Sequence, residues 1–201
     1  FLKYKFIFIA MNNNIKQLKF LKKYFSNLTN LIIENEEVNA KLILLKDKIL
    51  KANLKGKKII IFGNGGSAAI ASHFVIDMVN AAGRKCLNFS DVSLITCFSN
   101  DYGYNNYITK ILDKHAENGD ILILISSSGE SQNMLNAVKF KKKNFSSICT
   151  FTGFSKKNKL NKLGHLNFHV NSNIYNYVEN VHQVWLLSLV DLIVFDKKKI
   201  I

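Results

Sequence analysis

From Asn12 onward the apolar residues Ile15, Leu18, Leu21, Phe25, Leu28 and Ile32 recur at intervals of three and four, which places them on one helix face. Val38, Leu42, Leu45 and Ile49 repeat the pattern in a second helix, with Glu34 to Glu37 at its acidic start. The pattern then changes. Ile59-Ile60-Ile61-Phe62 and Ile121-Leu122-Ile123-Leu124-Ile125 are unbroken runs of bulky residues, the signature of strands buried on both faces. Lys85 to Phe89, Ser147 to Phe151 and Leu166 to Val170 read as three further strands. Between them come helical stretches: about Ser67 to Ala81, a segment capped by Asp91, one ending near His115, and one from Ser131 through about Lys142. A long helix from Ile174 to Phe195 closes the series.

Strands alternating with helices predict an α/β fold: a parallel sheet covered on both faces, with ligands at the carboxyl ends of the strands. The expected organisation has three parts: residues 1–11 as an upstream extension ahead of Met11, residues 12–55 as a helical pair, and residues 56–196 as the sheet domain, the last two forming one structural unit. The two leading helices must bury their stripes, and a partner subunit is the expected cover. Phe1 to Ala10 are too short for a secretory signal and lack a cleavage region. Val184 to Phe195, interrupted by Asp191, falls short of the roughly 18 apolar residues a bilayer span needs.

Composition adds limits. With 48% hydrophobic residues over 201, one domain with a proper core fits. Cys86, Cys97 and Cys149 show no CxxC spacing and cannot all pair, which predicts a reduced, cytoplasmic protein. The net charge of +14 invites nucleic acid. The lysines, however, are scattered (Lys22-Lys23, Lys57-Lys58, Lys141 to Lys143, Lys156-Lys157, Lys197 to Lys199) and not interleaved with stacking aromatics. They read as a basic solvated surface that attracts phosphorylated substrates.

Two strand-to-helix junctions carry the chemistry. Gly63-Asn64-Gly65-Gly66-Ser67 follows the first buried strand and opens an alanine-rich helix, with Ser67 as the expected N-cap. Glycines let the backbone approach a ligand, and a helix N-terminus favours an anion. Gly63-x-Gly65-x-x-Ala68 also fits a dinucleotide fingerprint, with Asp91 as a late acidic partner. The Gly-Lys-Ser/Thr ending of a P-loop is absent. The second junction favours a phosphate and no nucleotide cofactor: Ser126, Ser127, Ser128 and Ser131 with Gly129 give neutral donors that hold a dianion without a lysine clamp.

GNGGSA…SHF, the SNDYGY turn, the ISSSGES loop, FTGF at Phe151 to Phe154 and the final amphipathic helix together resemble the sugar isomerase (SIS) domain, in order over roughly Ile15 to Phe195. Within it they resemble the phosphoheptose (sedoheptulose 7-phosphate) isomerase branch. The resemblance implies a three-layer flavodoxin-like fold with a five-stranded parallel sheet. It implies a homotetramer with active sites between subunits, a C7 sugar phosphate as ligand and a place in surface-polysaccharide precursor synthesis. The phosphate is held by the equivalents of Ser67, Ser126, Ser128 and Ser131, beside Gly65, Gly66 and Ser127, while Asn64 and Asp101 contact the sugar.

Isomerising a ketose phosphate needs a base to move a proton between C1 and C2 and an acid for the oxygens, and a metal can polarise the carbonyl. His73 and Asp77 are four apart on one helix; Glu179 and His182 are three apart on another. By the resemblance, His73 matches a metal-binding histidine, Asp77 stands where the family has its glutamate base, and Glu179 replaces a glutamine ligand. His73, Asp77 and Glu179 are thus the expected zinc set, and Asp77, Glu179 and His182 the expected catalytic set. The family's catalytic histidine is Leu187 here. Two readings follow: an aldose–ketose isomerase, or a non-catalytic sugar-phosphate-binding regulator of the initiator-associating kind.

Overall fold

A computed structural model of the chain describes residues 2–33 and 35–198, with side chains for 14–33 and 35–196. It divides into two compact units, residues 1–33 and 34–201. The first is one helix, α1 (Leu2–Ile32), continuous through Met11. The division falls between the two leading helices, so α2 (Glu36–Leu54) belongs with the sheet and not with α1. Its cap is Asn35, whose Oδ1 accepts from the N–H groups of Glu37 and Val38 at 3.0 and 3.2 Å. Val38, Leu42, Leu45, Ile49 and Ala52, one face at helical spacing, are buried.

The sheet has five parallel strands: β1 (Ile59–Gly63), β2 (Cys86–Leu87), β3 (Ile121–Ser126), β4 (Ser147–Thr152) and β5 (Leu166–His169). Their spatial order is β2-β1-β3-β4-β5. β1 and β3 lie side by side in register, Ile59 against Ile121 through Gly63 against Ile125. Every residue of β3 is buried, as the unbroken apolar run requires. Around the sheet lie α3 (Gly66–Asn80), α4 (Val92–Tyr102), α5 (Tyr107–His115), α6 (Gln132–Val138) and α7 (Tyr175–Lys198). The α/β expectation and the flavodoxin-like order are met. The chain leaves β1 in one direction to reach β2 and returns to place β3 on the other side, so the carboxyl ends of β1 and β3 form a topological switch point.

Several boundaries differ from expectation. β2 keeps two residues, because only Ile59 and Ile60 offer it partners at the sheet edge. α4 runs to Tyr102 and stops at Gly103, whose φ of 79° ends the helix, so Asn100 and Asp101 lie in its last turn. α6 ends at Val138: Phe140 packs against the core, and the following lysines leave the helix. The segment Tyr175–Asp196 of α7 is long and apolar enough, at mean hydropathy 1.4, to cross a membrane. Its inward residues, Val178, Val181, Leu186, Leu189 and Ile193, are instead buried in the core.

Candidate active site

Where β1 ends, Gly63 turns so tightly that a Cβ would run into the Ser67 carbonyl. Gly65 then takes φ 53° and ψ −124°, a conformation that excludes ordinary side chains. Gly65, not Ser67, is the cap position of α3; Ser67 is already the second helical residue and 97% buried, its exposure being 3%. The expected serine cap fails because the glycine turn closes two residues sooner. The Ser67 and Ala68 N–H groups donate to the Asn64 and Gly65 carbonyls at 3.0 Å. Two first-turn donors are thus spent inside the turn, and an anion here depends more on hydroxyls than the sequence suggested.

Those hydroxyls come from the loop after β3. Gly129, at φ 66°, folds the loop back so that its N–H meets Ser126 Oγ at 3.2 Å. Ser126 Oγ donates to Ser131 Oγ at 3.2 Å. Ser131 occupies the cap position of α6, but its hydroxyl makes no cap bond. Ser127 Oγ is buried and has no protein partner. A buried hydroxyl without a partner carries a cost that an acceptor ligand removes.

The two loops converge. Asn64, Gly65, Gly66, Ser67, Ser126, Ser127, Ser128 and Ser131 all line one cavity of about 250 Å³, together with Ile125, Tyr175 and Glu179. No cation lines it. Asn64 and Asn133 exchange amide hydrogen bonds, Asn64 Nδ2 to Asn133 Oδ1 at 3.1 Å and Asn133 Nδ2 to Asn64 Oδ1 at 2.9 Å. Tyr104 Oη also donates to Asn64 Oδ1, at 3.0 Å. Sequence reasoning missed Asn133, Tyr104 and Tyr175. Asn133 lies two residues past Ser131, so the serine loop held a signal; Tyr175 opens the last helix with no local motif around it.

Of the expected catalytic residues, Glu179 alone lines the cavity. Its carboxylate stands against Gly66, where an added Cβ would strike it. Burial raises its pKa, because desolvation penalises the charged form. Asp77 and His73 lie farther along α3. His73 Nε2 is 3.2 Å from Asp77 Oδ2, and Gln183 Nε2 lies 3.2 Å from His73 Nδ1. An amide nitrogen only donates, so the contact gives Nδ1 the acceptor's part and leaves Nε2 facing Asp77. Asp101 is exposed at the end of α4, bonded by Asn100 Nδ2 at 3.1 Å, and does not line the cavity. The helix that extends through it carries it aside.

His182 requires a correction. It is fully buried, its Nε2 donates to the Thr152 carbonyl at 3.1 Å, and Phe151 and Trp185 pack around its ring. Desolvation pushes its pKa down to about 4. A neutral imidazole inside the core cannot serve as the acid of a solvent-facing cavity. The expected zinc set also fails to assemble within the chain. Among the described residues no three His, Cys, Asp or Glu side chains are grouped to hold a metal ion. Glu179 faces Gly66, while both His73 ring nitrogens already have partners. His73, Asp77 and Glu179 therefore do not form a three-ligand group within the described residues.

A family model described as SIS domain matches residues 23–153. The phosphoheptose isomerase of Cytophaga hutchinsonii is 34% identical over 144 residues, 69% of this chain and 73% of that protein. Among solved structures, a phosphoheptose isomerase from Francisella tularensis superposes with a TM-score of 0.79 at 26% identity, over 90% of this chain and 98% of the other. The phosphoheptose isomerase from Neisseria gonorrhoeae also reaches a TM-score of 0.79, at 24% identity, over 88% and 99% of the two chains. That last likeness speaks for the fold.

Proposed function

The chain belongs to the SIS domain family, and from that premise we propose that it is a phosphoheptose isomerase-type enzyme, an aldose–ketose isomerase acting on a phosphorylated sugar. The observation that carries this is the convergence of Gly65, Gly66, Ser126, Ser127, Ser128 and Ser131 on one cavity that also holds the Glu179 carboxyl. A cavity of hydroxyl and amide donors without a cation suits a single phosphate monoester. The relatives' shared name, phosphoheptose isomerase, supports a phosphorylated seven-carbon sugar as substrate.

In this reading the serine loop binds the phosphate, and Asn64, held by Asn133 and Tyr104, orients the sugar. Glu179 takes the proton from C1 of the ketose and returns it to C2. Its burial-raised pKa brings it nearer the working pH of a base. Asp77, beside His73 on the neighbouring helix, is the second carboxylate of this reading: it takes the O1 hydroxyl proton and gives one to O2, so that the two proton shifts balance. Ile76 and Val79 on α3 and Ile43 and Leu44 on α2 are exposed apolar residues that a second copy covers in a homo-oligomer, a tetramer by analogy. Three free thiols suit a reducing, cytoplasmic setting.

One observation favours a second reading, a sugar-phosphate-binding regulator without turnover: residue 187 is a leucine, which cannot move a proton, at the position where the family resemblance places a catalytic histidine. Proton exchange separates the two. Sedoheptulose 7-phosphate in deuterated water should take up deuterium at C1 with the native chain and not with Glu179→Gln. Retained binding of the sugar phosphate with no exchange by the native chain would establish the regulator.

A further inference from the structure

The opposite end of the sheet carries a cavity of different chemistry. It measures about 360 Å³ and is lined by Lys48, Lys51, Ala52 and Lys55 of the α2 end, Lys57 before β1, and Asn118, Gly119 and Ser146 at the entries to β3 and β4. Among the described residues, four ammonium groups border it and no carboxylate does. Lys57 is neutralised, its Nζ lying 3.1 Å from Glu117. Lys48, Lys51 and Lys55 take part in no ion pair among the described residues. Lys46 on the same helix, by contrast, meets Asp196 at 2.6 Å and Asp47 at 3.5 Å.

Lys48, Lys51 and Lys55 follow the i, i+3, i+7 spacing, so one helix face gathers three like charges that repel. The negative end of the α2 dipole favours cations there, which accounts for Lys51 and Lys55 in the last turn and cap. It does not account for Lys48, half-buried and two turns back from the helix end. The cavity walls are set by the fold. Gly119 takes φ 92°, and a Cβ there would stand 3.3 Å from Lys57 Cγ, closer than ordinary contact, so the missing side chain leaves space for the Lys57 stem beside this turn.

We propose that this cavity binds a small organic polyanion carrying at least two phosphate groups. Three uncompensated cations match such a ligand in charge, and the volume lies in the range of small-molecule sites. The serine cavity recognises a phosphate by directional neutral donors; this one acts by charge, so its affinity falls with salt. The proposal is independent of the isomerase reading, and its test involves no turnover.

The test is calorimetric titration of the whole chain with inorganic tripolyphosphate. The native chain should show one saturable site. Lys51→Glu/Lys55→Glu should weaken it at least about tenfold, because two attractive charges become repulsive, and Lys51→Gln/Lys55→Gln should weaken it less. Lys141→Glu/Lys143→Glu changes the net charge equally at a distant place and should leave the affinity alone, as should Ser126→Ala/Ser128→Ala. Equal weakening by the Lys141/Lys143 control would show non-specific attraction, and loss with the serine variant would place the probe in the sugar-phosphate cavity. Either result overturns the proposal, as does absence of saturable binding by the native chain.

Discussion

Asn64, just past β1, and Asn133, inside α6, exchange two amide hydrogen bonds, and that pair ties the glycine turn to the serine loop. The residues are 69 apart in sequence. Asn133 is 1% exposed, so the bond is shielded from competing water.

Asn133→Ala should therefore cost about 1–3 kcal/mol, because Asn64 loses a partner beside a buried site. Urea unfolding measures the stability loss, and sugar-phosphate affinity should fall with it. A double-mutant cycle with Asn64→Ala should return a coupling of about 0.5–3 kcal/mol. Simple additivity would mean that the two loops are held together by something else.

Ser126→Ala and Ser128→Ala should each weaken phosphate-ester binding by about 1–3 kcal/mol, the range for hydrogen bonds to a charged group. The dephosphorylated sugar should bind both variants as it binds the native chain. Titration of the two ligands side by side checks this, and equal losses for both would contradict a phosphate role for the loop.

Gly66→Ala would ordinarily favour a helix by roughly 0.5–1 kcal/mol. Here the new methyl meets the Glu179 carboxylate, the far end of a flexible, half-buried side chain that can swing aside, so stability should change by less than about 1 kcal/mol while the carboxyl is displaced. C1 exchange should therefore fall in Gly66→Ala although its melting temperature stays near that of the native chain. Thermal melts and deuterium uptake measured side by side decide it: unchanged exchange would mean that the carboxyl does not act from beside Gly66.

His182 should make the protein acid-sensitive. Its folded pKa of about 4 lies below the ordinary 6.5, so between those values the unfolded chain binds the extra proton. Stability from this residue is complete above about pH 6.5 and declines as pH falls toward 4, by about 3 kcal/mol over the window. Denaturant midpoints measured across that range should show the slope in the native chain and a shallower one in His182→Phe. Identical slopes would assign the effect to other groups.

Much of this was legible in the sequence because burial on both faces of a strand demands unbroken apolar runs, and β1 and β3 have them. The two cavity-lining loops were legible for the same local reason: glycines and serines cluster where a strand gives way to a helix. Less was legible where position depends on distant partners. His182 shares a helix face with Glu179 in sequence spacing, yet Thr152, Phe151 and Trp185 enclose it, and no local pattern encodes that. Asp101 read as a turn residue because a helix continuing to Gly103 was not visible from its neighbours.

By itself the sequence determined the alternation of strands and helices, the two ligand-facing junctions and the absence of a lysine at either, all set by residue types over a few positions. Only the tertiary structure decided that the two junctions meet, that Glu179 is the carboxyl joining them, and that His182 does not. The physical reason is the switch point: β1 and β3 become neighbours through backbone pairing in the sheet, and what stands between their ends is settled by packing from helices far along the chain.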